Sequence, residues 1–210
     1  MTNETRRISV EGTGRVRLRP DLARLRLGCF AEHDRAALAF DACSSATAAV
    51  IAALREAGAG DDDLSSSGIS LSRRHDSNRY VALNGLVVTV RPPERAGEVL
   101  AVVVDAGGDA LTINNVEFDV ADDSEERSQA RQEAVRDARR TAEQLASAAG
   151  VRLGRILSLE ESVGRHGGGQ LMRSLRAAPA AAAPAPVEVG DQEVAASVSV
   201  VFEIGDEGAT

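Results

Sequence analysis

Residues 7–33 alternate between apolar and polar positions with period two. Ile8, Val10, Val16 and Leu18 share one parity, and beyond Pro20-Asp21 the alternation resumes as Ala23, Leu25, Leu27, Cys29 and Ala31. Such alternation marks half-buried strands, because successive side chains point to opposite faces. Pro-Asp is a turn pair. Folding the chain there sets Val16 beside Leu25, Leu18 beside Ala23 and Val10 beside Ala31. All the apolar side chains then share one face, as a hairpin register requires. Gly12 and Gly14 interrupt that inner face and predict either a bulge or a close approach of another backbone.

Residues 34–57 change to a helical period. Phe40, Cys43, Thr47, Val50 and Leu54 recur at three- and four-residue steps, with Ile51 alongside. Asp34 is the expected N-cap and Gly58 the expected stop. After the polar connection Asp61-Asp62-Asp63, one strand is predicted over 67–73, carrying Ile69 and Leu71. Another is predicted over 80–91, where Leu86-Val87-Val88 reads as buried on both faces. Pro92-Pro93 opens a second helix, since proline is tolerated in a first turn. Its stripe is Ala96, Val99, Leu100 and Val103, and Gly107-Gly108 ends it. The strand over 110–120 switches parity between Ile113 and Val116, which predicts a bulge at Asn114-Asn115.

A third helix is predicted over 124–149. Asp122, Asp123 or Ser124 caps it, and Glu125 and Glu126 occupy the first turn, where the helix dipole favours anions. Ala134, Ala138, Ala142, Leu145 and Ala149 form a stripe of mostly small residues that permits close approach to a sheet, and Gly150 suits the C′ position. A strand with Ile156, Leu157 and Leu159 follows. The Gly-, Ala- and Pro-rich stretch 164–191 cannot build a core and is expected to be a mobile insertion. Val194, Ala196, Val198, Val200, Phe202 and Ile204 then alternate as a last strand. The pattern describes one α+β domain over 1–210: a mainly antiparallel curved sheet with three helices packed on one face.

Composition narrows the chemistry. The 210 residues are 43% hydrophobic, which argues against wholesale disorder. The apolar runs are far shorter than the roughly 20 residues of a membrane span. All 24 basic residues are Arg, so a P-loop lysine, a Schiff-base lysine and a lysine general base are excluded. With a net charge of -8 and 2% aromatic residues, the chain has neither the basic face nor the stacking platform of a nucleic-acid binder. The N-terminus runs directly into the strand pattern without a secretory apolar stretch, so the expected location is cytoplasmic. Cys29 and Cys43 fall on core faces and read as small buried hydrophobes.

Candidate sites are few. Gly12-Thr13-Gly14 lacks the third glycine and the following helix of a dinucleotide fingerprint, since position 17 is Arg17. Cys29, His33 and Cys43 match no zinc spacing, and there is no Cys-x-x-Cys. His75 and His166 lie in predicted loops, and Asp61-Asp62-Asp63 lacks the order of a calcium loop. No catalytic residue, cofactor or metal is therefore assigned. The notable feature is the outer face of the first hairpin. Its register sets Arg17 opposite Arg24 and Arg15 opposite Arg26, with Arg19 on the same face. Opposed like charges destabilise a sheet, so these five arginines ask for counter-charge. Glu11, Glu193, Glu203 and the acidic helix start at 122–126 are the in-chain candidates. The alternatives are solvation with salt screening, an anionic protein surface, or a small anionic ligand.

The order of these pieces resembles SIMPL-domain proteins. The resemblance rests on Ile8-Ser-Val-Glu-Gly-Thr-Gly-Arg-Val with Arg19-Pro20-Asp21-Leu22-Ala23, and on Ala52-Ala53-Leu54-Arg55-Glu56-Ala57-Gly58 before Ser67-Gly68-Ile69-Ser70-Leu71. It continues through Ile113-Asn114-Asn115-Val116-Glu117-Phe118, Ala148-Ala149-Gly150-Val151-Arg152-Leu153-Gly154 and Val198-Ser199-Val200-Val201-Phe202-Glu203. Bacterial members are mostly envelope proteins, some loosely tied to oxidative stress and some forming large homo-oligomers, and a mammalian relative is an adaptor associated with a signalling kinase. The resemblance implies a non-catalytic, self-associating interaction or scaffold protein. A sensor or enzyme for a small anionic ligand at the arginine face is the first alternative, and an envelope-associated oligomeric assembly the second.

Overall fold

The computed structural model describes residues 6–75, 77–162 and 188–206. Most of the expected insertion at 164–191, and His166 with it, lies outside the described residues. The strands are β1 (Arg7–Leu18), β2 (Leu22–His33), β3 (Leu64–Arg73), β4 (Tyr80–Val90), β5 (Leu111–Asp119), β6 (Val151–Ser162) and β7 (Gln192–Asp206). The helices are α1 (Ala36–Glu56), α2 (Ala96–Gly107) and α3 (Ser124–Ala149). The class is α+β, with antiparallel pairing throughout. The strands divide between a sheet of order β1-β7-β6 and a sheet of order β3-β4-β2-β5. The chain clusters into two compact units accordingly: β1, α3, β6 and β7 in one, β2–β5 with α1 and α2 in the other.

The expected hairpin does not form. β1 and β2 occupy the anticipated residues and bury the anticipated faces, but β1 pairs with β7, and β2 runs between β4 and β5. Alternation determines which side chains are buried; it does not name the neighbouring strand. Asp21 shows why the turn pair misleads. Its backbone N–H donates to Asp119 O at 3.1 Å, and its carboxylate accepts from Ala121 N–H at 2.9 Å. The corner is thus tied to the end of β5 and does not close back on β1.

In the first unit α3 lies against β1 and β7. Its buried residues are Ala130, Ala134, Ala138, Ala142 and Ala146, an unbroken i, i+4 row. Leu145 and Ala149, expected on that stripe, are exposed. Val10, Ala196, Val198, Val200 and Phe202 complete the core. Gly12 and Gly14 sit directly under the alanines. A Cβ at Gly12 would lie 2.1 Å from Ala134 O, and one at Gly14 2.0 Å from Ala130 O. The β1–β7 register runs past both without a shift, so the close-approach reading holds and the bulge does not. Gly150 closes α3 in the left-handed region, at φ 65°. At the other end Asp123 takes the N-cap position, while Asp122 accepts from Ser124 N–H at 2.9 Å.

In the second unit α1 and α2 cover a core that includes Leu25, Leu27, Cys29, Leu86 and Val88. α1 buries Ala39, Cys43, Thr47, Val50 and Leu54; Phe40, expected on this stripe, is 42% exposed. Only the first position of the stripe differs, Ala39 taking the buried place expected of Phe40. Arg35, not Asp34, stands at the N-cap, and Gly58 follows the C-cap with φ 94°. α1 is long and apolar enough to cross a membrane by length and composition, which the short apolar runs had argued against; here its buried face packs on β2 and β4. The bulge on β5 is where the parity switch placed it: Arg26 faces Asn115 and Leu27 faces Ile113, with Asn114 extra. β3, by contrast, is exposed along almost its whole length.

The alanine–glycine contact predicts a steep response. Gly12→Ala drives a methyl into backbone and is expected to destabilise the protein by about 3 kcal/mol, the upper range for overpacking, read as a lower urea midpoint. Val16→Ala, on the same face of β1 but only half-buried, should cost about 1 kcal/mol.

Candidate interaction surface

The five arginines separate between the sheets. Arg15 and Arg17 stand on β1, Arg19 follows it, and Arg24 and Arg26 stand on β2. Because β1 and β2 are not partners, the expected oppositions of Arg17 with Arg24 and of Arg15 with Arg26 do not occur. In-chain carboxylates supply counter-charge instead. Arg15 approaches Glu193 at 3.6 Å, and Arg17 is the register partner of that glutamate. Arg24 lies 3.2 Å from Asp119 and Arg26 lies 3.6 Å from Glu117. Glu193 was among the anticipated partners. Glu117 and Asp119 were not, although their alternation on the predicted strand 110–120 carried the signal.

The remaining candidates have structural roles. Cys29 and Cys43 are buried free thiols, and Cys43 S–H donates to Cys29 O at 3.2 Å. Burial raises both thiol pKa values, which disfavours the nucleophilic thiolate. His33 ends β2 and accepts from Arg35 N–H at 3.2 Å. Among the described residues no group of three or more His, Cys, Asp and Glu is placed to hold a metal. Asp61–Asp63 is a single 3-10 turn in which Asp63 pairs with Arg91 at 2.9 Å and Asp61 with Arg55 at 3.2 Å. A small cleft of about 90 Å³ lies between Leu54, Val88, Arg91 and Arg95. Its guanidiniums are engaged, Arg91 with Asp63 and Arg95 with Ala57 O at 2.8 Å.

The sheet edges differ sharply. On β1, Thr13 N–H donates to Asp137 at 3.0 Å, so α3 covers a backbone donor there, and Glu11, Arg15 and Arg17 add charge. β5 carries a bulge with Glu117 and Asp119. β6 has two register irregularities and bears Arg152, Arg155, Glu160 and Glu161. Bulges and charges of this kind guard a strand edge against pairing with another chain. β3 also has a register irregularity, between Ser66 and Gly68, but no charged residue from Leu64 to Ser72 and no proline. Its Ile69 is 62% exposed and Leu71 45%. Sequence reasoning placed this strand but missed its position at the sheet edge, which sequence pattern does not encode.

Two of these contacts have measurable consequences. The Thr13 N–H, helped by Arg140, holds the Asp137 carboxyl below its ordinary value of 3.8. A lowered folded pKa means that the contact stabilises fully above the unfolded value and fades as pH falls through the folded one. Asp137→Ala should therefore cost about 1 kcal/mol at pH 7, with the gap to wild type closing below about pH 4, in urea titrations across pH. Arg26→Ala, which breaks a half-exposed pair, should change stability by no more than about 0.5 kcal/mol.

The SIMPL family model, described as a protein of unknown function (DUF541), matches residues 8–202. The chain is also 32% identical to the 26 kDa periplasmic immunogenic proteins of Brucella melitensis biotype 1 and Brucella abortus strain S19, over 97% of this chain and 87% of each relative. Both relatives are named as periplasmic, which overturns the cytoplasmic expectation. That expectation rested on a strand pattern near the start of the chain, and such a pattern describes folding, not delivery. The match runs from the first strand into the last and takes in all three helices: the chain belongs to the SIMPL family.

Proposed function

We propose that this protein is a non-catalytic interaction or scaffold module that works in the periplasm by associating with itself. The observation that carries the reading is the edge position of β3 among the described strands, uncharged from Leu64 to Ser72 and exposing Ile69 and Leu71, with a register shift between Ser66 and Gly68. An edge of this kind presents unpaired backbone donors and acceptors, and natural sheets blunt such edges unless they are used. The periplasmic relatives support the location. The arginines on β1 and β2 are a poorer basis for an anion sensor, because Glu193, Glu117 and Asp119 already lie beside them.

Light scattering of the full chain at micromolar concentration should give a discrete multiple of the 21.9 kDa chain mass; a monomer mass overturns self-association. Cell fractionation should release the protein with the periplasmic contents, and retention with cytosolic markers overturns the location.

A further inference from the structure

We infer that Cys29 and Cys43 are joined as a disulfide when the chain folds in the periplasm, fastening β2 to α1. This inference rests on the periplasmic location proposed above. The 210 residues hold two cysteines, so within them each has a single possible partner. Cys29 stands on β2 and Cys43 on α1, 14 residues apart in sequence. The fold brings them together. Cys43 Sγ lies 3.2 Å from Cys29 O, and one hydroxyl, that of Thr47, is within hydrogen-bonding reach of both sulfurs. Both thiols are free in the structure, which is therefore the reduced form. An oxidising compartment such as the periplasm forms and keeps disulfides between cysteines so placed.

Burial determines when the bond forms. Both side chains are buried, and burial holds both thiols in the unreactive protonated state. The folded core therefore admits no oxidant, and exchange takes place before α1 settles on β2. The oxidant is another disulfide of the compartment, on a protein or on a small thiol. The thiolate of one cysteine attacks a sulfur of that disulfide and releases a first thiol. The thiolate of the second cysteine then attacks the mixed disulfide, which forms the Cys29–Cys43 bond and releases a second thiol. Two electrons pass from the cysteine pair to the oxidant, and the two released thiols carry the two protons. The short loop between the cysteines favours this ring closure over a bond to another chain. Once α1 is docked, the same burial shields the bond from reduction.

The test reads the linkage in the full chain. Cells making the protein are quenched in acid, and the periplasmic contents are denatured, alkylated without reductant and digested with trypsin. Cleavage after Arg26, Arg35 and Arg55 separates the Cys29 peptide, 27–35, from the Cys43 peptide, 36–55. The two should be recovered as one linked species, from a chain that runs as a monomer on a non-reducing denaturing gel. Two alkylated peptides, or a bond between chains, overturn the inference. Retention with cytosolic markers overturns the location instead. Refolding the purified full chain with glutathione disulfide then decides the pairing by the same digest, linked peptides upholding it and alkylated ones overturning it. Reductant should lower the urea midpoint of the oxidised wild type by about 1 M and leave that of Cys43→Ala unmoved. A wild-type midpoint that reductant does not shift overturns the fastening of β2 to α1.

Discussion

The first unit depends on how closely α3 can approach β1. Gly12 and Gly14 leave no side chain on the inner face of the strand, and the i, i+4 alanines present only methyls. Backbone therefore meets backbone, with Ala134 O and Ala130 O where side chains would otherwise stand. Close packing of this kind gains dispersion contacts on both sides and tolerates no added volume. It also sets the Asp137 carboxylate at the edge of β1, within reach of Thr13 N–H. A feature that reads as a nucleotide fingerprint fragment is a packing device.

The second unit is organised by large aliphatic groups. Leu25, Leu27, Leu86 and Val88 pack beneath α1 and α2, with both cysteines among them. Its outer strand face carries arginines, and the neighbouring strand answers them with Glu117 and Asp119. The charge crowding inferred from a hairpin is thus relieved within the sheet. What the sheet leaves unanswered is β3, whose serines and two aliphatic residues stand in solvent.

Among the described residues, the candidate groups singled out have structural work. Its cysteines are buried and protonated, its acidic triplet shapes a turn, and the guanidiniums of its small cleft hold backbone and Asp63. Strand edges are where such a fold can meet a partner, and among the described edges β3 differs in having no charged residue from Leu64 to Ser72.

The amino-acid order by itself determined the elements and their inner faces. The switch from period two to period 3.6, the bulge on β5 read from one parity change, the extent of α3 and its Gly150 stop were all legible, because they depend on local geometry and on the burial of each residue's own side chain. Family membership was legible for the same reason, since it rests on the order of those segments. Only the tertiary structure decided which strand neighbours which. Val16 pairs with Val194, and its parity would be the same beside Leu25. That choice put Arg15 and Arg17 in one sheet and Arg24 and Arg26 in the other, supplied Glu117 and Asp119 as counter-charges, and left β3 at an edge among the described strands. Pairing across long stretches of chain is settled by the joint packing of whole sheets and helices, to which no short window of residues gives access.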